Sequence, residues 1–330
     1  MTEEERDQPA KSKAREVARH IIGNENAVLG LILIILIAIF AGLTKGLNLT
    51  QRNVLGVLVQ SSIRGIAAMG QTFVILTGGI DLSVGSLALL AMALAGEYMQ
   101  GKVGLPPTAA GIAIMLLVSM AIGSTSGLAV SRIKMPALIV TFALWIALKG
   151  VALQVSGGYV ITNIPKPIAF LGQQYIAGFP VLGITFIAIA AITYFVLHHT
   201  TFGRSVYAVG GNPGGAWLSG IDVRRIIVWV FAISGLTAGI AAWATMSRIA
   251  CFTMAAVEGL EIDAIAVTVV GGISLMGGRG SVIGVVIGTF IFGVISNGMN
   301  IMGVAPAYQT IAKGLIIYAA VAIDYLRRQR

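Results

Sequence analysis

The sequence predicts an all-α integral membrane protein, a polytopic helical bundle of about ten spans with broken helices. Three observations carry that expectation. Of 330 residues, 57% are hydrophobic and 11% charged, against about 25% charged in soluble domains, which excludes a water-soluble globule. Apolar runs of roughly 20 residues, enough to cross a hydrocarbon core of about 30 Å, recur from residue 27 to the C-terminus. The 42 glycines recur at helix-packing spacings and where apolar runs stop. Helices are preferred to a barrel because the runs are long and continuously apolar, and a helix satisfies its own backbone where lipid offers no partner.

In chain order, helices are expected over 27–43, 54–77, 83–100, 108–131, 136–155, 180–199, 226–247, 262–276, 281–301 and 308–325. A cytoplasmic tail (1–26) precedes a membrane body (27–326) that holds a cytoplasmic segment at 200–225, and a short cytoplasmic C-terminus (327–330) follows. Six of the 13 acidic residues, Glu3, Glu4, Glu5, Asp7, Glu16 and Glu25, sit in the tail. That tail is too acidic for a signal peptide, so the first apolar run reads as a retained span. Lys11, Lys13, Arg15, Arg19, Arg132, Lys134, Arg204, Arg224, Arg225, Arg327, Arg328 and Arg330 all fall on one side if ten spans are counted from an inside N-terminus. The opposite connections, 101–107, 156–179 and 302–307, are poorer in positive charge, although Lys45 and Arg52 then lie outside. The net charge of +9 therefore reads as topology, and no basic, aromatic-interleaved segment suggests nucleic acid. Cys251 is the single cysteine, which excludes an intrachain disulfide and a cysteine metal cluster.

Gly123/Gly127, Gly235/Gly239 and Gly280/Gly284/Gly288 recur every four residues and predict smooth strips where helix backbones approach closely. Gly78-Gly79-Ile80-Asp81-Leu82 and Gly271-Gly272-Ile273-Ser274-Leu275 resemble each other. Such paired interruptions mark broken helices around a pathway, although both fall between spans running the same way, which fits an inverted repeat badly. Within 200–225, Asn212 suits a helix cap, Pro213 its first position and Gly220 its terminator. They predict a short helix over 214–219 that lies across the cytoplasmic face as a docking element, the alternative being an ordinary surface loop.

Five ordered motifs then carry a resemblance. Gly78 through Ser86, the Gly203-Arg204 to Ile221 segment, Glu261-Ile262-Asp263-Ala264-Ile265-Ala266, Gly271 through Gly280 and Lys313-Gly314 together look like the permease subunit of ribose-type bacterial ABC sugar importers, over about residues 53–324. The resemblance implies a multi-pass protein of the bacterial inner membrane, two permease chains, identical or different, and two ATP-binding sites inside, on separate subunits or one tandem chain. It also implies a soluble sugar-binding protein outside, with ATP and Mg held by the partners and no cofactor on this chain. It further implies that 212–220 is the coupling helix, with Gly203, Arg204, Asn212, Pro213, Gly214, Gly215, Ala216, Trp217, Leu218, Ser219 and Gly220 forming the contact with the ATPase. The sequence departs from the family pattern at Gly214, Gly215 and Trp217. Two helical glycines cost about 1 kcal/mol each against alanine, so a shorter or more pliable helix is expected, with Trp217 burying apolar surface against the partner.

Asp81 would cost at least a few kcal/mol unpaired at the bilayer centre. It is expected either to cap the following helix with Ser83 assisting, or to meet sugar hydroxyls directly. Gln71, Thr72, Gly79, Thr141, Glu261, Asp263 and Asn297 complete the expected pathway or gate, with helix packing assigned to Gly280, Gly284 and Gly288. Gln60, Ser61, Gln154 and Asn300 are polar enough to line it too, and all could equally be interhelical ties. Arg64 and Lys313 are expected in internal ionic contacts and Lys149 at an interface.

No G-x-x-x-x-G-K-[ST] segment occurs, so this chain is not expected to hydrolyse ATP. His20, His198 and His199 lack metal-ligand spacing, and no nucleophile elbow accompanies them, so no catalytic or metal site is assigned. An ion-coupled secondary transporter or channel would have to use Asp81, Glu261, Asp263 or Asp324, and a membrane enzyme lacks a reactive cluster.

Overall fold

The computed structural model describes residues 25–328. The acidic tail with its basic residues, His20, Arg330 and the side chains of Asp324, Arg327 and Arg328 lie outside that description. The helices are α1 (Glu25–Leu43), α2 (Gln51–Leu76), α3 (Val84–Met99), α4 (Leu105–Arg132), α5 (Ala137–Ser156), the short α6 (Phe170–Gln173), α7 (Val181–His199), α8 (Thr201–Gly211), α9 (Pro213–Leu218), α10 (Val223–Ile249), α11 (Leu260–Val270), α12 (Val282–Ile301) and α13 (Pro306–Arg328). A small antiparallel hairpin, β1 (Tyr175–Ile176) with β2 (Phe179–Pro180), precedes α7. Among the described residues, six helices (α1, α4, α5, α7, α10 and α12) are long and apolar enough to cross a membrane. Helices α2 and α13 are long but interrupted by polar residues, and α3 and α11 are short.

Contacts at the helix termini define two ends of the bundle. At one, Asn26 at the start of α1 donates to Ser281 before α12, and Gly278 N–H donates to the carbonyl of Leu76 at the end of α2. At the other, Ile161 pairs with Phe252, Gly101 N–H donates to Asn163, and Asn53 exchanges hydrogen bonds with Asn297. The long helices alternate between these ends.

Glycine sets the tightest crossings. Antiparallel α4 and α10 meet at Gly123, Gly127, Gly235 and Gly239: a β-carbon on Gly123 would come within 2.5 Å of the Phe231 carbonyl, and one on Gly239 within 2.6 Å of that of Met115. The two expected glycine pairs thus face each other. The triple is corrected: Gly280 lies before α12 with φ +142, so only Gly284 and Gly288 share the helix face, where both pack on the Gly271 backbone. A second correction concerns the helix expected over 262–276, which runs from Leu260 and stops at Val270. Gly272, Gly277 and Gly278 then take positive φ and carry the chain through a tight turn. Residues 201–211 form a helix that the sequence reading left within the connection. Thr200 caps it by accepting from Gly203 N–H, and Val206 and Val209 bury one face.

Candidate functional site

The polar connection forms two consecutive helices at one end of the bundle. Asn212 caps α9, its Oδ1 accepting from Gly215 N–H at 3.0 Å, and Pro213 opens the helix. Gly220 closes it at φ +83, with Ile221 N–H returning to the Ala216 carbonyl at 3.0 Å, the glycine-terminated helix end the spacing predicted. Ala216 is buried while Trp217 and Leu218 are 69% and 80% exposed. A two-turn helix therefore presents a bare apolar tip, consistent with docking on another surface. Arg204 is exposed on α8, and Gly203 packs tightly against the end of α7.

From this helix pair the contacts lead inward. Gly210 near the end of α8 lies so close to Leu76 and Gly278 that a β-carbon there would overlap the Leu76 carbonyl, and Gly277 packs on Gly78 and Gly210. Tyr207 Oη donates to the Gly280 carbonyl at 3.0 Å. The two mutually similar glycine segments, after α2 and after α11, thus meet against helix α8.

A polar cluster surrounds the starts of the two short helices. Asp81 is fully buried: Oδ1 accepts from Ser83 N–H at 2.9 Å and Ser83 Oγ at 2.6 Å, and Oδ2 accepts from Ser234 Oγ at 2.7 Å. Ser234 lies near the middle of α10, so the carboxyl ties the start of α3 to mid-height in the bundle. Ser83 was expected as its partner, whereas Ser234 carried no sequence signal because only the fold brings it near. Gly79 packs on Val74 and Ala137, and Thr141 Oγ1 donates to the Ala137 carbonyl at 2.9 Å and that of Ile80 at 3.1 Å, joining α5 to the same break.

On α11, Asp263 accepts from Arg64 Nε on α2 at 2.7 Å and from Lys313 Nζ on α13 at 2.9 Å, the internal ionic contacts expected of both cations. Glu261, two residues earlier, turns elsewhere. It is 6% exposed, its Oε1 accepts from Trp145 Nε1 at 3.1 Å, and its other oxygen lies against Gly85 in the first turn of α3. Lys149 is exposed one turn along α5, 5.9 Å from the Trp145 ring centroid. Trp145 was not among the expected site residues, since an aromatic on an apolar helix carries no polar signal in sequence.

The remaining expected pathway residues show no hydrogen bond to this cluster among the described residues. Thr72 is buried and donates to the Ala68 carbonyl of its own helix at 2.8 Å. Gln71 is buried with neither amide atom hydrogen-bonded among the described residues. Asn297 sits at the far end of α12, where its reciprocal 2.9 Å bonds to Asn53 make it an interhelical tie.

The family described as branched-chain amino acid transport system, permease component, matches residues 53–321, the whole of α3 to α12 included. The chain belongs to this permease family. Its relatives include the ribose import permease protein of Bacillus subtilis, 39% identical over 82% of this chain and 84% of that protein. The D-allose transport system permease protein of Escherichia coli is 36% identical over 89% and 90%, and the fructose import permease protein of Rhizobium meliloti 34% over 93% and 87%. No solved structure matches the chain.

Proposed function

We propose that this permease is the membrane-spanning subunit of an ATP-driven importer that carries a monosaccharide or sugar-like solute delivered by a soluble binding protein. The carrying observation is the capped α9, whose exposed Trp217–Leu218 tip stands at the bundle end where α8 bears on both glycine turns. The sugar import names of relatives aligned over more than four-fifths of the chain support the cargo class, in preference to the amino acid in the family description. A pair of ATP-binding subunits docks on α9, a second permease chain completes the conduit, and ATP and Mg belong to those partners. Ten helices, α1 to α5, α7 and α10 to α13, form the body in the bacterial inner membrane, α3 and α11 being broken spans too short to cross alone, with both termini in the cytoplasm, the arrangement favoured by the alternating ends and by Arg132, Arg204, Arg224 and Arg225 near one of them.

Closure of the ATPase pair displaces α9, and the glycine contacts of Gly210 pass that displacement to the turns that end α2 and α11. The pathway then opens to alternate sides. An ion-coupled carrier is disfavoured at two of its four candidate carboxylates, since Asp81 is held by two serines and Asp263 by two cations. The test is Trp217→Ala in the assembled importer: sugar uptake falls at least about tenfold, as for loss of an aromatic interface anchor, while membrane insertion and thermal midpoint stay unchanged. Full uptake by that variant, or uptake that survives ATP depletion and collapses with the ion gradient, refutes the assignment.

A further inference from the structure

The breaks before α3 and α11 leave a cavity of about 240 Å³ whose lining includes Ser86, Trp145, Lys149, Glu258 and Glu261. Its lining takes Gly85 and Ser86 from the first turn of α3 and Gly259 and Glu261 from the start of α11. Gly85 is required there, because a β-carbon on it would overlap the Glu261 carboxylate. The first turns of two helices therefore converge on one hollow, the arrangement in which broken helices hold a transported solute.

We propose that this cavity is a recognition site for a neutral, polyhydroxylated solute of monosaccharide size, with Glu261 as its central hydroxyl acceptor. This rests on the permease reading above and adds a site to it. Size is the first argument: the volume falls below the about 300–1,000 Å³ of pockets for drug-sized ligands, so it admits only a small molecule. Charge is the second. Two carboxylates, Glu258 and Glu261, face one cation, Lys149, in the lining, which repels a phosphorylated sugar. A neutral hydroxyl donates to the carboxylates and accepts from Lys149 equally well. Shape is the third, since Leu89, Met254 and the Trp145 indole supply apolar surface for the C–H face of a sugar ring. Finally, the acceptor is held in advance of binding. Trp145 Nε1 and the residue's own backbone N–H hold the nearly buried Glu261 carboxylate in place, and among the described residues no side chain other than Trp145 donates to it.

The experiment has two arms. In the first, D-ribose, D-fructose, D-allose and ribose 5-phosphate are titrated separately against the purified full-length permease while tryptophan fluorescence is recorded. At least one neutral sugar gives a saturable change that Trp145→Phe removes and Trp229→Phe keeps, and the sugar phosphate gives none. A change that survives Trp145→Phe, an equal response to the phosphate, or no response to any neutral sugar overturns the site. In the second, uptake by the assembled importer is compared for wild type, Glu261→Gln and Lys149→Gln. Each variant lowers uptake about tenfold, the scale of one hydrogen bond to a charged group, with an unchanged melting point. Lys149 is exposed, so its variant remains informative should Glu261→Gln fold poorly. Wild-type uptake with both variants at wild-type rates overturns the site alone, whereas no ATP-dependent uptake by wild type overturns the permease reading beneath it.

Discussion

Replacing Asp81 separates a structural tie from a cargo contact. Its carboxyl accepts three hydrogen bonds, from Ser83 N–H, Ser83 Oγ and Ser234 Oγ, at 2.6–2.9 Å and with no solvent exposure. Asp81→Ala strands three buried donors, each at about 1–3 kcal/mol, so the loss is at least about 3 kcal/mol before any cavity cost. Asp81→Asn keeps an oxygen for both Ser83 donors and turns its amide toward Ser234 Oγ, which rotates to accept. That exchange costs about 1 kcal/mol, one neutral hydrogen bond at most. At about 2–4 °C per kcal/mol, the thermal midpoint of detergent-purified protein falls by roughly 2–4 °C for asparagine and at least about 6 °C for alanine. Uptake by the asparagine variant, assayed below its midpoint, stays within about twofold of wild type. An asparagine variant that melts as low as alanine refutes the hydrogen-bond account. One that melts like wild type yet transports nothing shows that the carboxylate acts on the solute.

Two further outcomes follow from the packing. Gly235→Leu drives a side chain into the Ser119 backbone and the Gly123 Cα across the α4–α10 crossing and lowers stability by about 1–3 kcal/mol or more, the cost of overpacking. Gly30→Leu on α1, where a β-carbon meets nothing within 4 Å, leaves the thermal midpoint unchanged, and equal midpoints for the two variants contradict the crossing. Asp263→Ala leaves Arg64 and Lys313 without their shared carboxylate and costs about 2–4 kcal/mol. This is below the figure for a fully buried pair because the three side chains retain 13–25% exposure. Lys313→Met costs less, since Arg64 stays paired, and the order of the two melting points checks it.

What the sequence revealed depended on whether the signal was local. The short helix α9 was legible because Asn212, Pro213 and Gly220 each act within one turn of their own position. The Asp81–Ser83 pair was legible for the same reason, and so were the α4 and α10 glycines, whose four-residue spacing is a property of a single helix. Helix α8 was missed although Thr200 and the buried Val206 and Val209 carry a cap and a period, because its glycines and exposed arginine resemble a loop. The end of α11 was misplaced because Leu275 and Met276 continue the apolar run, while the backbone reversal rests on positive φ at Gly272 and Gly277. Ser234 and Trp145 were beyond reach, since each acquires its role from a segment far along the chain and no pattern around them announces it, and Gly85, though inside the Gly78–Ser86 motif, owes its role to the distant Glu261.

Helix α11 is short enough to behave as a stiff strut. The turn that follows one tip, Gly271–Gly278, abuts the carbonyl of Leu76 and the glycines of α8; the other tip, at Glu261, forms a wall of the hollow. With 11 residues it is about 16 Å long and unbroken, so a nudge at its foot arrives at its head undiminished. If α9 docks the ATPase and the hollow holds the solute, as proposed above, shape change at the one and shape change around the other are two readings of a single rod's position.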